Sequence, residues 1–192
     1  MATILITGGT GLIGNYLSRF LKEKGYTVAL LSRSGKHSEE FPVYFWDIDK
    51  QIIDPKAITS ADYIIHLAGE NIGAKRWTEE RKKEIISSRI LPTQLLFDAI
   101  SKSSHKPAAF ISASAIGYYG AVTSSHIFTE TDPAANDFLG HTCRQWESEV
   151  DRFQELAIRV VKIRTGIALT SAGGALEKIK KPVAIGLGAP LG

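Results

Sequence analysis

The sequence of 192 residues predicts an α/β fold with a doubly wound parallel β-sheet. Apolar runs of strand length recur along the chain, and helical segments separate several of them. Most of these runs are continuous rather than alternating, which is typical of strands that are buried on both faces of a parallel sheet. The six predicted strands are residues 3–7, 27–32, 43–46, 62–67, 108–113 and 158–164.

The first predicted strand runs directly into a glycine-spaced turn over residues 8–14 that opens a helix. Glycines at this spacing allow a tight turn, a close approach of the backbone to a pyrophosphate and close packing of the helix on the sheet. The free N–H groups at the helix N-terminus attract phosphates. We therefore predict a Rossmann-type dinucleotide site and the strand order 3-2-1-4-5-6, the alternative being a tight turn without a ligand. The predicted binding residues of the turn are Gly8, Thr10, Gly11, Leu12 and Ile13.

Three helices are predicted from apolar periodicity and end signals. The first ends near Gly25, the second runs from Thr78 to about residue 100 with a kink or break near Leu91 because of Pro92, and the third covers about residues 139–156. In the first helix, the apolar residues at helical spacing form one stripe, and we expect this stripe to face the sheet. Its members are Leu12, Ile13, Tyr16, Leu17, Phe20 and Leu21.

Composition and charge narrow the function classes. The net charge is +3, and the short basic runs at residues 81–83 and 180–181 have acidic neighbours, so we interpret them as solvated helix faces rather than a nucleic-acid surface. No apolar run has the length of about 20 residues that a membrane span needs. The single cysteine, Cys143, excludes an internal disulfide and suits a reducing compartment. We expect a cytoplasmic protein with a small-molecule partner; a homodimer is an open alternative to a monomer.

The end of the second strand indicates which dinucleotide binds. NAD-specific sites place an acidic residue there to bind the ribose hydroxyls, whereas this chain has Ser32, Arg33 and Ser34. A guanidinium in this place can clamp a 2′-phosphate, and the serines can add hydrogen bonds. The sequence therefore favours NADP over NAD, the alternative being an arginine that only decorates a surface loop.

Two further strand ends contribute predicted cofactor contacts. Asp47 follows the third strand, where its carboxylate either accepts a hydrogen bond from an adenine amino group or caps a turn. The fourth strand ends in Leu67, Ala68 and Gly69, whose small side chains let a ring or ribose lie close to the backbone. His66 within that strand is interpreted as a core residue.

The fifth strand is followed by the candidate catalytic groups Ser114, Tyr118 and Tyr119. A serine hydroxyl there can hydrogen-bond a substrate hydroxyl or carbonyl, and a tyrosine can donate or relay a proton. The alternative is a well-packed aromatic turn without catalytic function. No metal site is predicted.

Several of these segments together resemble the extended short-chain dehydrogenases/reductases, the group that contains nucleotide-sugar epimerases and dehydratases. The resemblance is narrower to an epimerase-like subfamily, some of whose members are labelled cell-division-inhibitor-like. It covers nearly the whole chain. The segments that carry it are residues 7–14, 67–72, 76–78, 88–89, 112–120, 146–147 and 164–166.

The resemblance implies a Rossmann fold with NAD(P) on the glycine turn. It also implies a catalytic serine, with a tyrosine and a lysine four residues apart on the helix after the fifth strand. This chain departs from that pattern, because Leu139 stands in the tyrosine position and Cys143 in the lysine position. Redox chemistry would then depend on other groups, such as Tyr118 or Tyr119. A buried small residue is the favoured interpretation of Cys143 over a reactive thiol.

We expect residues 1–165 to form the NAD(P)-binding domain and residues 166–192 to begin a truncated substrate-binding region, since the chain ends in a glycine-rich stretch and extended members are longer. Two functions remain open from the sequence. One is an NADP-dependent, epimerase-like oxidoreductase that acts on a small substrate. The other is a non-catalytic NADP-binding sensor or regulatory protein on the same fold.

Overall fold

A computed structural model describes residues 1–34 and 38–187, which contain a central seven-stranded sheet and a small separate hairpin. The seven strands of the central sheet are β1 Thr3–Thr7, β2 Thr27–Ser32, β3 Val43–Asp47, β4 Ile52–Ile53, β5 Tyr63–His66, β6 Ala109–Ala115 and β7 Arg159–Thr165. The hairpin pairs β8 Leu169–Thr170 with β9 Gly173–Gly174.

The strand order is β4-β3-β2-β1-β5-β6-β7. The predicted order 3-2-1-4-5-6 is therefore confirmed for the six parallel strands, whereas the short antiparallel edge strand β4 and the β8–β9 hairpin were not predicted. The parallel register pairs Thr7 with His66, His66 with Ser112, and Ser114 with Arg164. The carboxyl ends of these strands consequently meet at one edge of the sheet, where ligands bind in folds of this class.

The described residues contain five α-helices: α1 Leu12–Glu23, α2 Pro55–Thr59, α3 Glu79–Lys102, α4 Phe138–Asp151 and α5 Ala175–Ala184. Short 3₁₀ helices cover Ile116–Tyr119 and Arg152–Leu156, so the third predicted helix is correct in place but finishes as 3₁₀. Of the kink or break expected near Leu91, the break does not occur, since α3 continues through Pro92.

The main core lies between one face of the sheet and helices α2, α3 and α4. Phe110 of β6 stacks on Phe153 with ring centroids 3.9 Å apart, and both side chains are fully buried. A smaller cluster on the opposite face joins Ile4, Ile6 and Val28. Burial on both faces explains why the strand sequences are continuous apolar runs.

Helix α1 packs on the sheet through two small residues and the half-buried Leu17 and Leu21, so only part of its apolar stripe faces inward. Gly14 and Ser18 are the buried residues of this helix, and the Ser18 hydroxyl donates to the Gly14 carbonyl at 2.7 Å. Tyr16 and Phe20 are exposed and stack on each other with centroids 6.4 Å apart. The small residues face the sheet because the helix starts directly from the glycine turn and packs close to it. The predicted helix end is correct, since Gly25 has φ +87°.

The basic run at residues 81–83 is only partly a solvated face. Arg81 is buried, whereas Lys82 binds Glu79 at 2.8 Å on the surface. Lys181 pairs with Glu177 at 2.9 Å in exposed positions on α5. The last part of the predicted glycine-rich stretch, residues 188–192, lies outside the described residues. Within the described part of the chain, no helix has the length and apolar character that a membrane crossing requires, and no cluster of side chains is arranged to ligate a metal ion.

Candidate functional site

A cleft of about 990 Å³ opens at the carboxyl edge of the sheet. The ends of β1, β2, β3 and β5 and the N-terminal half of α3 form its walls. The structure brings most of the predicted cofactor residues together there. Those that line the cleft are Gly8, Thr10, Gly11, Ser32, Arg33, Asp47, Leu67, Ala68 and Gly69.

The glycine turn packs directly on the end of β5. Gly8 has φ +69°, and a Cβ at this position would lie 2.8 Å from the Leu67 carbonyl carbon and 3.0 Å from the Ala68 nitrogen. The Gly11 N–H donates to the Gly8 carbonyl at 3.0 Å and closes the turn. Only glycine fits position 8, since both the backbone angle and the space exclude a side chain.

Leu12 and Ile13 differ from the other predicted cofactor residues, because their side chains do not line the cleft. They form the first turn of α1, whose N-cap, Gly11, has no side chain to accept hydrogen bonds from that turn. No hydrogen-bond acceptor for their backbone N–H groups is found in residues 1–34 and 38–187. These groups are therefore available to an anion at the helix N-terminus.

The buried hydroxyl of Thr7, the residue before the glycine turn, joins the turn to the residues that follow β5. The Thr7 hydroxyl lies 2.8 Å from Nδ1 of His66 and accepts the backbone N–H groups of Leu67 at 3.1 Å and Ala68 at 3.2 Å. Both Thr7 and His66 are completely buried. His66 is thus a satisfied core residue, as expected from the sequence, and burial lowers its pKa to about 3.

Ser32, Arg33 and Asp47 occupy the end of the cleft over β2 and β3. Arg33 is exposed at the cleft wall, and the Ser32 and Ser34 hydroxyls lie 3.1 Å apart. Asp47 accepts the Lys50 N–H at 3.0 Å, and this backbone hydrogen bond lowers the pKa of the carboxyl. Asp47 is therefore an anion that also caps its own turn, and both predicted roles are compatible with its position.

Ser114 belongs to a buried ion-pair group rather than to the cleft wall. Its hydroxyl donates to Oε1 of Glu147 at 2.6 Å. Arg164 clamps the same carboxylate, with Nε 2.8 Å from Oε1 and Nη2 2.8 Å from Oε2. Burial of Glu147 opposes its charge, but the hydrogen bonds from Arg164 and Ser114 outweigh it and hold the pKa of the carboxyl below its usual value. The pKa of Arg164 is raised, chiefly by its hydrogen bonds to Glu147.

The two candidate tyrosines both contact the guanidinium of Arg164. Tyr119 accepts a hydrogen bond from Nη1 of Arg164 at 2.7 Å and donates to the Thr129 carbonyl at 2.9 Å. The ring of Tyr118 lies 3.5 Å from the Arg164 guanidinium carbon, and its hydroxyl has no hydrogen-bond partner within the described ranges. Neither tyrosine lines the cleft, so a catalytic role for these residues stays a prediction.

The structure shows what replaces the tyrosine and lysine expected from the resemblance. Leu139 packs on Gly117, where an added Cβ would lie 3.2 Å from the Leu139 Cβ. Cys143 is buried, as the favoured interpretation predicted. Burial raises the pKa of its thiol, although the charge of Arg89 acts in the opposite direction.

Sequence reasoning missed Arg81, whose side chain is 5% exposed and lines the cleft. It binds Glu84 at 2.8 Å, Glu70 at 3.2 Å and the Asn71 carbonyl at 2.8 Å. These contacts tie the loop after β5 to the start of α3. The sequence indicates where Arg81 lies along the helix, because Thr78 is a typical N-cap residue. Its hydroxyl accepts the Arg81 N–H at 3.2 Å, which places Arg81 in the first turn of α3.

Arg89 of α3 was also missed as a site residue. Its Nη2 donates to the Glu70 carbonyl at 3.1 Å, and its Nη1 donates to the Ile85 carbonyl at 2.8 Å. The guanidinium lies against Gly69, whose added Cβ would be 3.4 Å from the Arg89 Cζ. The sequence indicates it only through residues 88–89, one of the segments that carry the family resemblance.

With this geometry established, comparison with known proteins assigns the family. The sequence model of the NAD dependent epimerase/dehydratase family matches residues 4–144, which include the glycine turn and the ends of β1, β2, β3, β5 and β6. The chain belongs to this family. An epimerase family protein of Mycobacterium bovis is 37% identical over 192 residues, which cover 100% of this chain and 62% of the relative.

Solved structures of epimerase/dehydratase family proteins share the fold. The human epimerase family protein SDR39U1, crystallised with NADPH, superimposes with a TM-score of 0.82 at 32% identity, over 99% of this chain and 62% of that one. A nucleoside-diphosphate sugar epimerase from Corynebacterium glutamicum gives a TM-score of 0.83 at 34% identity, over 100% of this chain and 39% of that one. This chain thus spans less than two thirds of the length of these relatives.

Proposed function

We propose that this epimerase/dehydratase family chain binds NADP(H) and acts as an oxidoreductase on a small substrate of the nucleotide-sugar type. The observation that carries the proposal is the cleft itself, which joins the glycine turn to Arg33 without an acidic residue at the end of β2. The NADPH found with the human relative and the nucleotide-sugar name of the Corynebacterium relative support it.

The residues present fit a dinucleotide. The pyrophosphate would lie on the backbone of Gly8 and Gly11 and on the free N–H groups at the start of α1, where no side chain obstructs its approach. The guanidinium of Arg33 would bind the 2′-phosphate in a fork, and Asp47 would accept the adenine amino group. A cavity of about 990 Å³ gives room for this adenosine half.

Bound nicotinamide supplies hydride transfer at its C4 atom. With the adenosine half over β2 and β3 and the phosphates on β1, the nicotinamide half would extend over the ends of β5 and β6. Of the three candidate catalytic groups, Tyr118 has the freest hydroxyl, since Ser114 and Tyr119 already donate to Glu147 and to the Thr129 carbonyl. We therefore assign proton transfer to Tyr118 and a positioning role to Ser114 and Tyr119.

The second candidate function is a non-catalytic NADP(H)-binding protein. Leu139 and Cys143 favour it, because Leu139 has no proton to transfer and the neutral thiol of Cys143 cannot supply the fixed positive charge of the lysine. The engagement of Ser114 in the Glu147–Arg164 ion pair favours it further.

Cofactor preference is tested by titration calorimetry of the purified protein with NADPH and NADH. Removal of the charge in Arg33→Gln is expected to weaken NADPH binding about tenfold or more, since hydrogen bonds to charged groups are the strong ones, and to leave NADH binding nearly unchanged. Arg19→Gln, which removes an exposed arginine on the outer side of α1, serves as the matched control. Tighter binding of NADH than of NADPH by the unaltered protein would refute the preference.

Catalysis is tested with a screen of alcohols, carbonyl compounds and nucleoside-diphosphate sugars, followed by the absorbance of the reduced nicotinamide and by sugar analysis. Turnover that falls in Tyr118→Phe with unchanged NADPH affinity would support the enzyme. Tight cofactor binding without turnover of any substrate would support the non-catalytic function instead.

A further inference from the structure

We propose that Arg89 binds the nicotinamide half of the dinucleotide and provides a fixed positive charge beside it. The inference rests on the proposed binding of NADP(H), which it deepens by assigning a residue to the half of the cofactor that the glycine turn and Arg33 do not hold.

The position of Arg89 follows from its contacts at the end of β5. Its guanidinium lies against Gly69, which lines the cleft, and donates to the Glu70 carbonyl at 3.1 Å. On the other side it lies 5.3 Å from the ring of Trp146 on α4. Arg89 thus lies between the loop after β5 and helix α4.

The direction of the cofactor across the sheet brings its second half to this place. Arg33 and Asp47 lie at the ends of β2 and β3, and the glycine turn follows β1. Because the strand order continues from β1 to β5 and β6, an extended dinucleotide that begins over β3 must finish over β5 and β6. Gly69 lies in the loop that directly follows β5, so Arg89 borders the nicotinamide half.

Arg89 also has unused binding capacity. Nη1 donates to the Ile85 carbonyl at 2.8 Å and to the Ser88 hydroxyl at 3.3 Å, and Nη2 donates one hydrogen to Glu70. Its Nε–H and the second hydrogen of Nη2 have no acceptor in residues 1–34 and 38–187. These donors suit the ribose hydroxyls or the carboxamide oxygen of the nicotinamide half.

The charge of Arg89 lacks a direct counterion. The two other arginines of this region are paired, Arg81 with Glu70 and Glu84, and Arg164 with Glu147. No described carboxylate lies within ion-pair distance of Arg89, and burial lowers the pKa of its guanidinium. A partly buried and unpaired cation is costly, which indicates that a ligand completes its environment.

The positive charge of Arg89 determines which oxidation state of the nicotinamide it favours. Oxidised nicotinamide is a cation and reduced nicotinamide is neutral. A fixed guanidinium beside the ring therefore disfavours NADP⁺ relative to NADPH. We expect the unaltered protein to bind NADPH more tightly than NADP⁺, and Arg89→Gln to reduce that ratio.

The test compares two ligands by calorimetry: NADPH and adenosine 2′,5′-bisphosphate, which has the adenosine half alone. Arg89→Gln is expected to weaken NADPH binding about tenfold and to leave the bisphosphate within about twofold of the unaltered protein. Arg33→Gln should weaken both ligands. Arg144→Gln, which removes an exposed arginine of α4, is the charge-matched control.

Equal loss of both ligands in Arg89→Gln would show that Arg89 only holds the loop after β5 and would overturn the proposal, as would unchanged NADPH affinity. Failure of the unaltered protein to bind even the bisphosphate would instead refute the proposed function. If Arg89→Gln does not fold, the decision falls to the unaltered protein, in which equal affinities for NADPH and NADP⁺ would overturn the proposal. Tighter binding of NADPH would support it.

Discussion

Thr93 Oγ1 lies 3.2 Å from Nε2 of His66 and donates its own proton to the Arg89 carbonyl at 2.6 Å. A hydroxyl has one proton, so the contact with His66 requires the imidazole to donate from Nε2. Nδ1 is then unprotonated and accepts the proton of the Thr7 hydroxyl at 2.8 Å. Every donor in this chain of contacts has an acceptor, and the chain connects helix α3 to the residue that precedes the glycine turn.

The neutral state of His66 makes stability depend on pH. Burial lowers its pKa to about 3, whereas the unfolded chain titrates near the ordinary value of 6.5. Between these values the unfolded state binds one more proton, so the free energy of unfolding is expected to fall by about 1.4 kcal/mol per pH unit as the pH drops below 6.5. Urea unfolding between pH 8 and pH 4 measures this slope.

The variant His66→Asn should be less stable at pH 8 but should show a slope smaller by one proton in the same range. An identical slope in both proteins would contradict a neutral buried imidazole. Side-chain nitrogen chemical shifts of His66 at pH 7 provide an independent check, because they distinguish the Nε2–H tautomer from the Nδ1–H tautomer.

We expect the hydroxyl of Thr7 to contribute more to the free energy of unfolding than its methyl group does. Thr7→Val keeps the shape but leaves the Ala68 N–H and the His66 Nδ1 without their partner, so we expect a loss of about 2 kcal/mol or more in the free energy of unfolding. Thr7→Ser keeps the hydroxyl and is the matched control, with an expected loss of about 1 kcal/mol for the buried methyl. If the valine variant were the more stable of the two in urea, the argument would fail.

The sequence predicted the structure correctly at positions where a single physical requirement determines the residue type. Burial on both faces produced the continuous apolar runs, and these predicted all six parallel strands in their correct order. The glycine turn at Gly8, where there is no space for a side chain, likewise predicted the position of the cleft. Arg33 at the end of β2 predicted part of its wall.

The sequence predictions failed for residues whose burial or contacts depend on a partner from another part of the chain. The apolar stripe of α1 predicted the buried face only in part, because close packing on the glycine turn buries Gly14 and Ser18 and leaves larger residues of the stripe exposed. Arg81 sits in a basic run, yet Glu70 and Glu84 draw it into the interior. The Ser114 hydroxyl donates to the carboxylate of Glu147, which lies 33 residues away on α4, and no local sequence pattern predicts such a contact.

The two tyrosines after β6 are expected to respond differently to loss of the hydroxyl. Tyr119→Phe removes the hydrogen bonds with Arg164 and the Thr129 carbonyl, which should cost about 1 kcal/mol of stability. Tyr118→Phe keeps the ring on Arg164 and should change the free energy of unfolding by less than about 0.5 kcal/mol. Urea unfolding of both variants at pH 7.5 gives the comparison. Equal effects would contradict the structural role assigned to Tyr119.

Gly14 is expected to be the least replaceable residue of α1. A Cβ there would lie 2.3 Å from the Gly8 carbonyl oxygen and 2.7 Å from the Gly9 Cα, and backbone atoms of the turn cannot move aside without opening it. Gly14→Ala would gain about 1 kcal/mol of helix propensity at an exposed site, but here we expect a net loss of about 2 kcal/mol or more together with loss of NADPH binding. Asn15→Ala, on the exposed side of the same turn, is the matched control and should be neutral or stabilising. Thermal unfolding and NADPH titration of the two variants measure both effects, and an unaltered NADPH affinity in Gly14→Ala would show that the turn does not hold the cofactor.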